Sequence, residues 1–150
     1  MGTGIEVLIS SLLATFLAQL LKFIFYYIRH KSINFRIFAS TGGMPSSHSA
    51  AVVSTMTSVG LILGFSSIEF SIAVVFGLIV MYDAAGLRRS AGLMARQLNM
   101  LVDALYEQRP HSFRNKLIEL LGHTPLEVTM GALLGVAISI LVHYRFLLIG

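Results

Sequence analysis

The sequence contains no cysteine, so disulfides, thiolate metal sites and a cysteine nucleophile are all excluded. Charged residues are also scarce: they form 12% of the 150 residues, roughly half the share in soluble domains, while 55% of the chain is hydrophobic. The sequence also lacks internal repeats, low-complexity tracts and long linkers. We therefore expect one domain spanning residues 1–150.

Long uncharged stretches indicate helices that cross a membrane, because a bilayer span needs roughly 20 apolar residues. Apolar residues fill all faces of these stretches, which disfavours a soluble helical bundle. We predict an all-α integral membrane bundle with an additional amphipathic or interfacial helix. Its four transmembrane spans are expected near residues 5–28, 48–66, 68–87 and 125–148.

Basic residues are concentrated on one side of these spans. Three lie between the first and second spans and six between the third and fourth, whereas Arg145 stands alone on the opposite side. The positive-inside rule places the basic side in the cytoplasm, although arginines kept for an anionic ligand would produce the same bias. No basic residue precedes the first span, so we expect it to stay in the mature protein rather than act as a secretory signal.

The segment from Ala84 to about Glu107 keeps a helical period but becomes amphipathic. Such a helix lies at the membrane surface or closes over a site. Pro110 predicts a break near residues 108–112, followed by a short helix over 113–121. The polar face of the amphipathic segment consists of Arg89, Gly92, Arg96, Asn99 and Asp103.

Residues 42–49, GGMPSSHS, precede the second span with two glycines, a proline, three serines and a histidine. The backbone N–H groups of Ser47, His48 and Ser49 would lie at a helix N-terminus, where the positive end of the dipole attracts an anion. The glycines permit close approach of a ligand, and His48 can donate a proton to a leaving oxygen. The alternative is a capped helix start with an interfacial histidine.

Two further clusters place cations at the membrane boundary. Lys22 follows fifteen uncharged residues, so its charge should face an anion, a cavity or water, unless its long stem extends to the interface. Arg88 and Arg89 can clamp a phosphate, with Asp83 orienting one of them. Alternatively, the arginines bind anionic headgroups or mark the cytoplasmic side.

His123 and Glu127 stand four residues apart where the last span begins. On one helix face the carboxylate would orient the imidazole, which could then attack phosphorus. Alternatively, Glu127 belongs to a capping box with Thr124 as N-cap and Pro125 as the first helical residue. The sequence leaves this choice open. The remaining histidines are expected at interfaces or in loops: His30, His111 and His143.

Other kinds of site find little support. The histidines lack the carboxylate-rich spacing of a metal cage, so we expect no metal and no cofactor. The net charge of +4 lies beside membrane spans without an extended basic stripe, so we expect no nucleic-acid partner. Small residues such as Gly131 and Gly135 can pack within the bundle or between subunits, which leaves a homo-oligomer open.

Together, residues 45–48, PSSH, and 122–127, GHTPLE, resemble the signatures of the type 2 phosphatidic acid phosphatase superfamily. The runs 41–50, TGGMPSSHSA, and 83–89, DAAGLRR, are similar to its divergent bacterial and plastid branch, which is related to vanadium-dependent haloperoxidases. The resemblance covers roughly residues 19–135. It implies a helical bundle and metal-independent hydrolysis of phosphate monoesters or pyrophosphates through a phosphohistidine.

The resemblance also implies roles for individual residues. It makes His48 the general acid, His123 the nucleophile and Glu127 its partner. It further implies that Ser46 and Ser47 help to hold the phosphate.

The cationic positions of the family are matched less completely. Its Lys-x6-Arg-Pro motif falls on Lys22 and Arg29, with His30 in place of proline. Its arginine six residues before the nucleophile falls on Leu117, which cannot bind phosphate. Another cation must then stabilise the equatorial oxygens, and the expected replacement is Arg88 or Arg89.

The resemblance thus leads us to expect a membrane phosphatase whose lipid substrate keeps its tail in the bilayer. Phosphatidylglycerophosphate is the first candidate substrate, followed by a polyprenyl phosphate or pyrophosphate and by phosphatidic acid. A non-catalytic lipid-binding or transport protein that has kept the anion site is the alternative from another class. Vanadate-dependent peroxidase chemistry is a third.

Overall fold

The computed structural model describes residues 4–33, 43–105 and 122–149, apart from the side chains of residues 87–89, 105 and 149. The predicted break at 108–112 and the predicted short helix at 113–121 lie outside the described residues. The helices are α1 (Gly4–His30), α2 (Ser47–Leu63), α3 (Ile68–Ala85), α4 (Leu87–Leu105) and α5 (Pro125–Ile149).

Four of the five helices in the described residues are apolar, which confirms the predicted all-α membrane bundle. Three runs are long and apolar enough to cross a membrane, and α2 is a shorter apolar helix of 17 residues. At 1.5 Å per residue α2 is about 26 Å long, slightly less than the ~30 Å hydrocarbon core. The three long runs are Gly4–His30, Ile68–Ala104 and Pro125–Leu148.

The turn between α2 and α3 starts earlier than the uncharged sequence indicates. Gly64 adopts a positive φ of 92°, and its N–H donates to the Gly60 carbonyl at 3.0 Å, which ends α2. Ser67 then begins α3, because its hydroxyl accepts a hydrogen bond from the Phe70 N–H at 3.2 Å. The second span, predicted to end near residue 66, therefore ends at Leu63, and the turn begins at Gly64.

Helix α2 lies in the middle of the bundle and packs against α1, α3 and α5. Its approach to α5 is close, because a Cβ at Gly131 would collide with the Ser46 carbonyl and one at Gly135 would lie 2.6 Å from the Ala50 carbonyl. One turn further along, the hydroxyl of Ser139 donates to the Ser54 carbonyl at 2.8 Å, across 85 residues. All three contacts keep this offset, so α2 and α5 run parallel in a fixed register.

Helix α1 runs antiparallel to α2. The Ser11 hydroxyl donates to the Ala51 carbonyl at 3.3 Å, and the Gln19 amide donates to the Ser47 hydroxyl at 3.2 Å. The buried residues of α1 recur every fourth position, and most are small, which allows close approach of the helices. They are Glu6, Ser10, Ala14, Ala18 and Lys22.

Helix α4 is the predicted amphipathic helix, and among the helices it packs against α3. Gly92 and Asn99 on its polar face are buried, whereas Leu93 and Met94 are more than half exposed. This arrangement is the reverse of that in a soluble protein and suits an apolar face that meets lipid.

Candidate functional site

The N-termini of α2 and α5 lie side by side, joined by a hydrogen bond from the Ser46 N–H to the Glu127 carbonyl at 2.9 Å. This contact brings together the two histidines that the sequence analysis assigned to one site. The ring centroids of His48 and His123 are 6.1 Å apart, and the rings meet edge to face at 62°. His123 is 2% exposed, whereas His48 lies at the surface of the protein.

His123 is held by both its backbone and its ring. Its N–H donates to the carbonyl of Ala84 at 2.9 Å, which ties it to the end of α3. Its Nδ1 lies 3.2 Å from Oε2 of Glu127. Because an ionised carboxylate can only accept, Nδ1 is the donor in this bond.

Glu127 serves both functions that the sequence analysis considered. Its Oε2 also accepts the Thr124 N–H at 3.0 Å, while its own N–H donates to the Thr124 hydroxyl at 3.3 Å. These two bonds form the predicted capping box, with Pro125 as the first residue of α5. The two interpretations are therefore not exclusive, since a single carboxylate oxygen contacts both the imidazole and the helix cap.

The two serines predicted to hold phosphate are both buried next to His48. Ser46 caps α2, and its hydroxyl accepts bonds from the Ser49 N–H at 3.3 Å and the Ser49 hydroxyl at 3.1 Å. Ser47 is the first residue of α2 and accepts the bond from the Gln19 amide. In each case the serine oxygen acts as acceptor within the protein, so its O–H group can donate to a ligand.

Lys22 lies in the same region and is only 5% exposed, so its side chain does not extend to the surface as in the alternative interpretation. Its stem packs against Gly43, where a Cβ would lie 3.3 Å from Cγ of the lysine. The ammonium group interacts electrostatically with Glu127. Among residues 4–33, 43–105 and 122–149, Nζ has no hydrogen-bond partner. Burying an ammonium group without a hydrogen bond is costly, so this position suits an anionic ligand.

Gln19 is a site residue that the sequence analysis missed. It lies three residues before Lys22, on the same face of α1, and its amide contacts Ser47. Its Oε1 is buried and has no hydrogen-bond partner in the part of the chain that the structure describes. The spacing to Lys22 was the available signal, because a polar residue one turn from a buried lysine shares its environment.

Asp83 is in the last turn of α3, next to the carbonyl that binds His123, and Arg88 and Arg89 begin α4 a few residues later. The side chains of both arginines lie outside the description. Arg29 is exposed at the end of α1, seven residues beyond Lys22. Leu117, at the family's arginine position, is not among the described residues.

The described residues contain no group of three or more His, Cys, Asp or Glu side chains placed to hold a metal ion. The donors around the two imidazoles are hydroxyls, an amide and an ammonium group. Such a set matches the equatorial oxygens of a phosphate group.

Comparison with known proteins identifies the family of this chain. The chain is 39% identical to the "Uncharacterized membrane protein YuiD" of Bacillus subtilis (strain 168), over 93% of this chain and 95% of the relative. No solved structure matches. Residues 4–138 match the divergent PAP2 family, a range that contains α1, α2, α3, the first half of α5 and every site residue named above. The chain therefore belongs to the divergent PAP2 family.

Proposed function

We propose that this protein is a membrane phosphatase that hydrolyses a lipid phosphate through a phosphohistidine at His123. The observation that carries this proposal is the pair of facing imidazoles, one buried and bonded to a carboxylate and the other exposed. In-line transfer between two histidines needs roughly 7 Å between the nucleophilic nitrogen of one ring and the acidic nitrogen of the other. This length is the sum of an attack distance of ~3 Å, one P–O bond and one hydrogen bond. A centroid separation of 6.1 Å is compatible with that requirement.

The proposed reaction begins with attack of Nε2 of His123 on phosphorus. The P–O bond to the lipid breaks, and protonated His48 transfers its proton to the departing alkoxide. Water then attacks the phosphohistidine, with neutral His48 accepting a proton from it, and inorganic phosphate leaves. His48 thereby returns to its protonated form, and the Glu127 carboxylate stabilises the positive charge on His123 throughout.

The phosphate oxygens would be bound by side chains from three parts of the chain. Lys22 supplies the charge, the hydroxyls of Ser46 and Ser47 supply neutral donors, and Arg88 or Arg89 stands in for the family's missing arginine. The parallel N-termini of α2 and α5 add the positive ends of two helix dipoles at the same place.

The position of this site in the bundle supports a lipid substrate. The histidines lie at the ends of apolar helices whose outer faces expose large side chains, such as Ile72, Phe76 and Ile79 on α3. A substrate with its tail in the bilayer would present its phosphate at this level. We propose phosphatidylglycerophosphate as the first substrate to test, and we place the site on the basic, cytoplasmic side of the membrane.

The test is release of inorganic phosphate by purified protein reconstituted in liposomes, with a chelator present. The substrate panel contains phosphatidylglycerophosphate, a polyprenyl phosphate, a polyprenyl pyrophosphate and phosphatidic acid. We expect activity on at least one of them and its loss in His123→Ala. His30→Ala is the matched control, because His30 is an exposed histidine that stacks on Tyr26.

Two outcomes would contradict the proposal. Unchanged activity in His123→Ala would refute the nucleophile, and binding without hydrolysis of any panel lipid would favour the non-catalytic alternative. Vanadate should inhibit the reaction as an analogue of the transferred group. Halide oxidation that requires added vanadate would instead indicate peroxidase chemistry.

A further inference from the structure

A second group of buried polar side chains lies at the end of the bundle opposite to His48 and His123. Glu6, in the first turn of α1, is fully buried, and its Oε1 lies 2.6 Å from Nδ1 of His143 in α5. From the sequence alone, His143 is expected at an interface or in a loop. The structure instead pairs it with a carboxylate 137 residues away, on another helix of the bundle.

Helix register places Ser58 at the same level as this pair. Contacts between α2 and α5 keep an offset of 85 residues, and Ser58 and His143 differ by this number. Because α1 and α2 are antiparallel, with Ser11 opposite Ala51, the last turns of α2 lie beside the first turns of α1. Ser58 therefore lies beside both members of the pair, and it is fully buried.

Three oxygen atoms at this end have no hydrogen-bond partner among the described residues: Oε2 of Glu6, Oγ of Ser10 and Oγ of Ser58. All three side chains are 0% exposed. Buried polar groups are nearly always paired, and an unpaired carboxylate oxygen within a membrane span is among the most costly exceptions. Three oxygens with available lone pairs thus lie on the facing sides of two packed helices.

We propose that this polar layer, formed by Glu6, Ser10, Ser58 and His143, binds one Na⁺ ion. Carboxylate and hydroxyl oxygens are the ligands that hard cations prefer. A single carboxylate balances a single positive charge, which favours a monovalent ion over a divalent one. The bond between His143 and Oε1 holds the carboxylate in place and leaves Oε2 for the ion. Since small residues bring these helices close together, Na⁺ should bind more tightly than the larger K⁺.

The site is separate from the phosphatase chemistry, so its test does not use activity. The unfolding midpoint of the purified full-length protein is measured in NaCl, KCl and choline chloride at equal ionic strength and pH. We expect Na⁺ to raise the midpoint by roughly 5 °C over choline when present at about a hundred times its Kd, and K⁺ to raise it less. Equilibrium dialysis with ²²Na⁺ should give one ion per chain.

Two variants and a control assign the effect to the layer. Glu6→Gln should abolish the rise in unfolding midpoint that Na⁺ produces. Ser58→Ala, which removes only one hydroxyl, should weaken Na⁺ binding at least tenfold. Glu69→Gln is the matched control, because Glu69 is an exposed carboxylate at the same end of the bundle. If Glu6→Gln does not fold, Ser58→Ala and the dialysis measurement still decide.

The proposal is overturned by equal midpoints in Na⁺ and choline together with no bound ²²Na⁺. It is also overturned if Ser58→Ala binds Na⁺ as tightly as the wild type. A midpoint that depends on pH but not on Na⁺ would show that a proton neutralises Glu6 instead.

Discussion

Replacing Glu127 by Gln tests whether its carboxylate acts on His123 or only caps α5. Gln keeps the shape and one acceptor oxygen but loses the charge that faces Nδ1 at 3.2 Å. A hydrogen bond to a charged group contributes about 1.5–3 kcal/mol, and each ~1.4 kcal/mol of barrier is tenfold in rate. We therefore expect kcat for phosphate release to fall about 10- to 150-fold, with a loss of unfolding free energy below about 1 kcal/mol.

Thr124→Ala is the matched control, because it removes the other half of the same capping box and leaves the contact between Glu127 and His123 intact. It should lower the unfolding free energy by about 0.5–2 kcal/mol and leave kcat within about threefold of the wild type. Both values are measured on reconstituted protein, by phosphate release and by thermal unfolding. A Glu127→Gln variant that keeps wild-type kcat while losing as much stability as Thr124→Ala would show that Glu127 only caps the helix.

Three further substitutions test neighbouring parts of the structure. Gln19→Ala should lower kcat/KM about tenfold with little loss of stability, because the Ser47 hydroxyl loses the amide that holds it. A wild-type kcat/KM in this variant would exclude Gln19 from the site. Lys22→Met should lower kcat/KM at least tenfold without lowering the unfolding midpoint, because it removes a buried ammonium that lacks a hydrogen bond among the described residues. An equal effect of Lys31→Met, at an exposed lysine, would argue against a specific contact. Gly135→Val should cost about 1–3 kcal/mol of unfolding free energy by overpacking α2 against α5. Gly4→Val is the control, because nothing lies within 4 Å of the new Cβ. Equal losses of unfolding free energy in the two variants would contradict the close contact between the helices.

The membrane bundle could be predicted because its signals are local. Apolar runs mark the spans, and Thr124 with Glu127 marks the start of α5 within four residues. The turn after α2 was placed too late, because the uncharged stretch continues through Gly64 and the positive φ at that residue leaves no trace in hydropathy. The short motifs around His48 and His123 pointed to one site because the family resemblance linked them, not because their spacing did.

Contacts between distant helices could not be predicted in the same way. The bond from Gln19 to Ser47 joins residues 28 apart, and the bond between His143 and Glu6 joins residues 137 apart. Each depends on which faces of α1, α2 and α5 meet, and apolar residues on all sides of a membrane helix hide that face. The small residues at every fourth position of α1, Ser10, Ala14 and Ala18, mark its packed face, but this pattern does not identify the partner helix.

The glycines of α5 have a consequence for the chemistry at the helix ends. Gly131 and Gly135 let α5 approach the backbone of α2, and these same two helices begin beside His48 and His123. A methyl group added at either glycine would push the helix axes apart, and stiff helices would transmit that displacement to both imidazoles. In the proposed reaction, the gap that the phosphoryl group crosses would therefore be set from within the bilayer, by positions in the contact between α2 and α5. Relatives that differ at these two positions would differ in the size of group they accept while keeping every reacting atom.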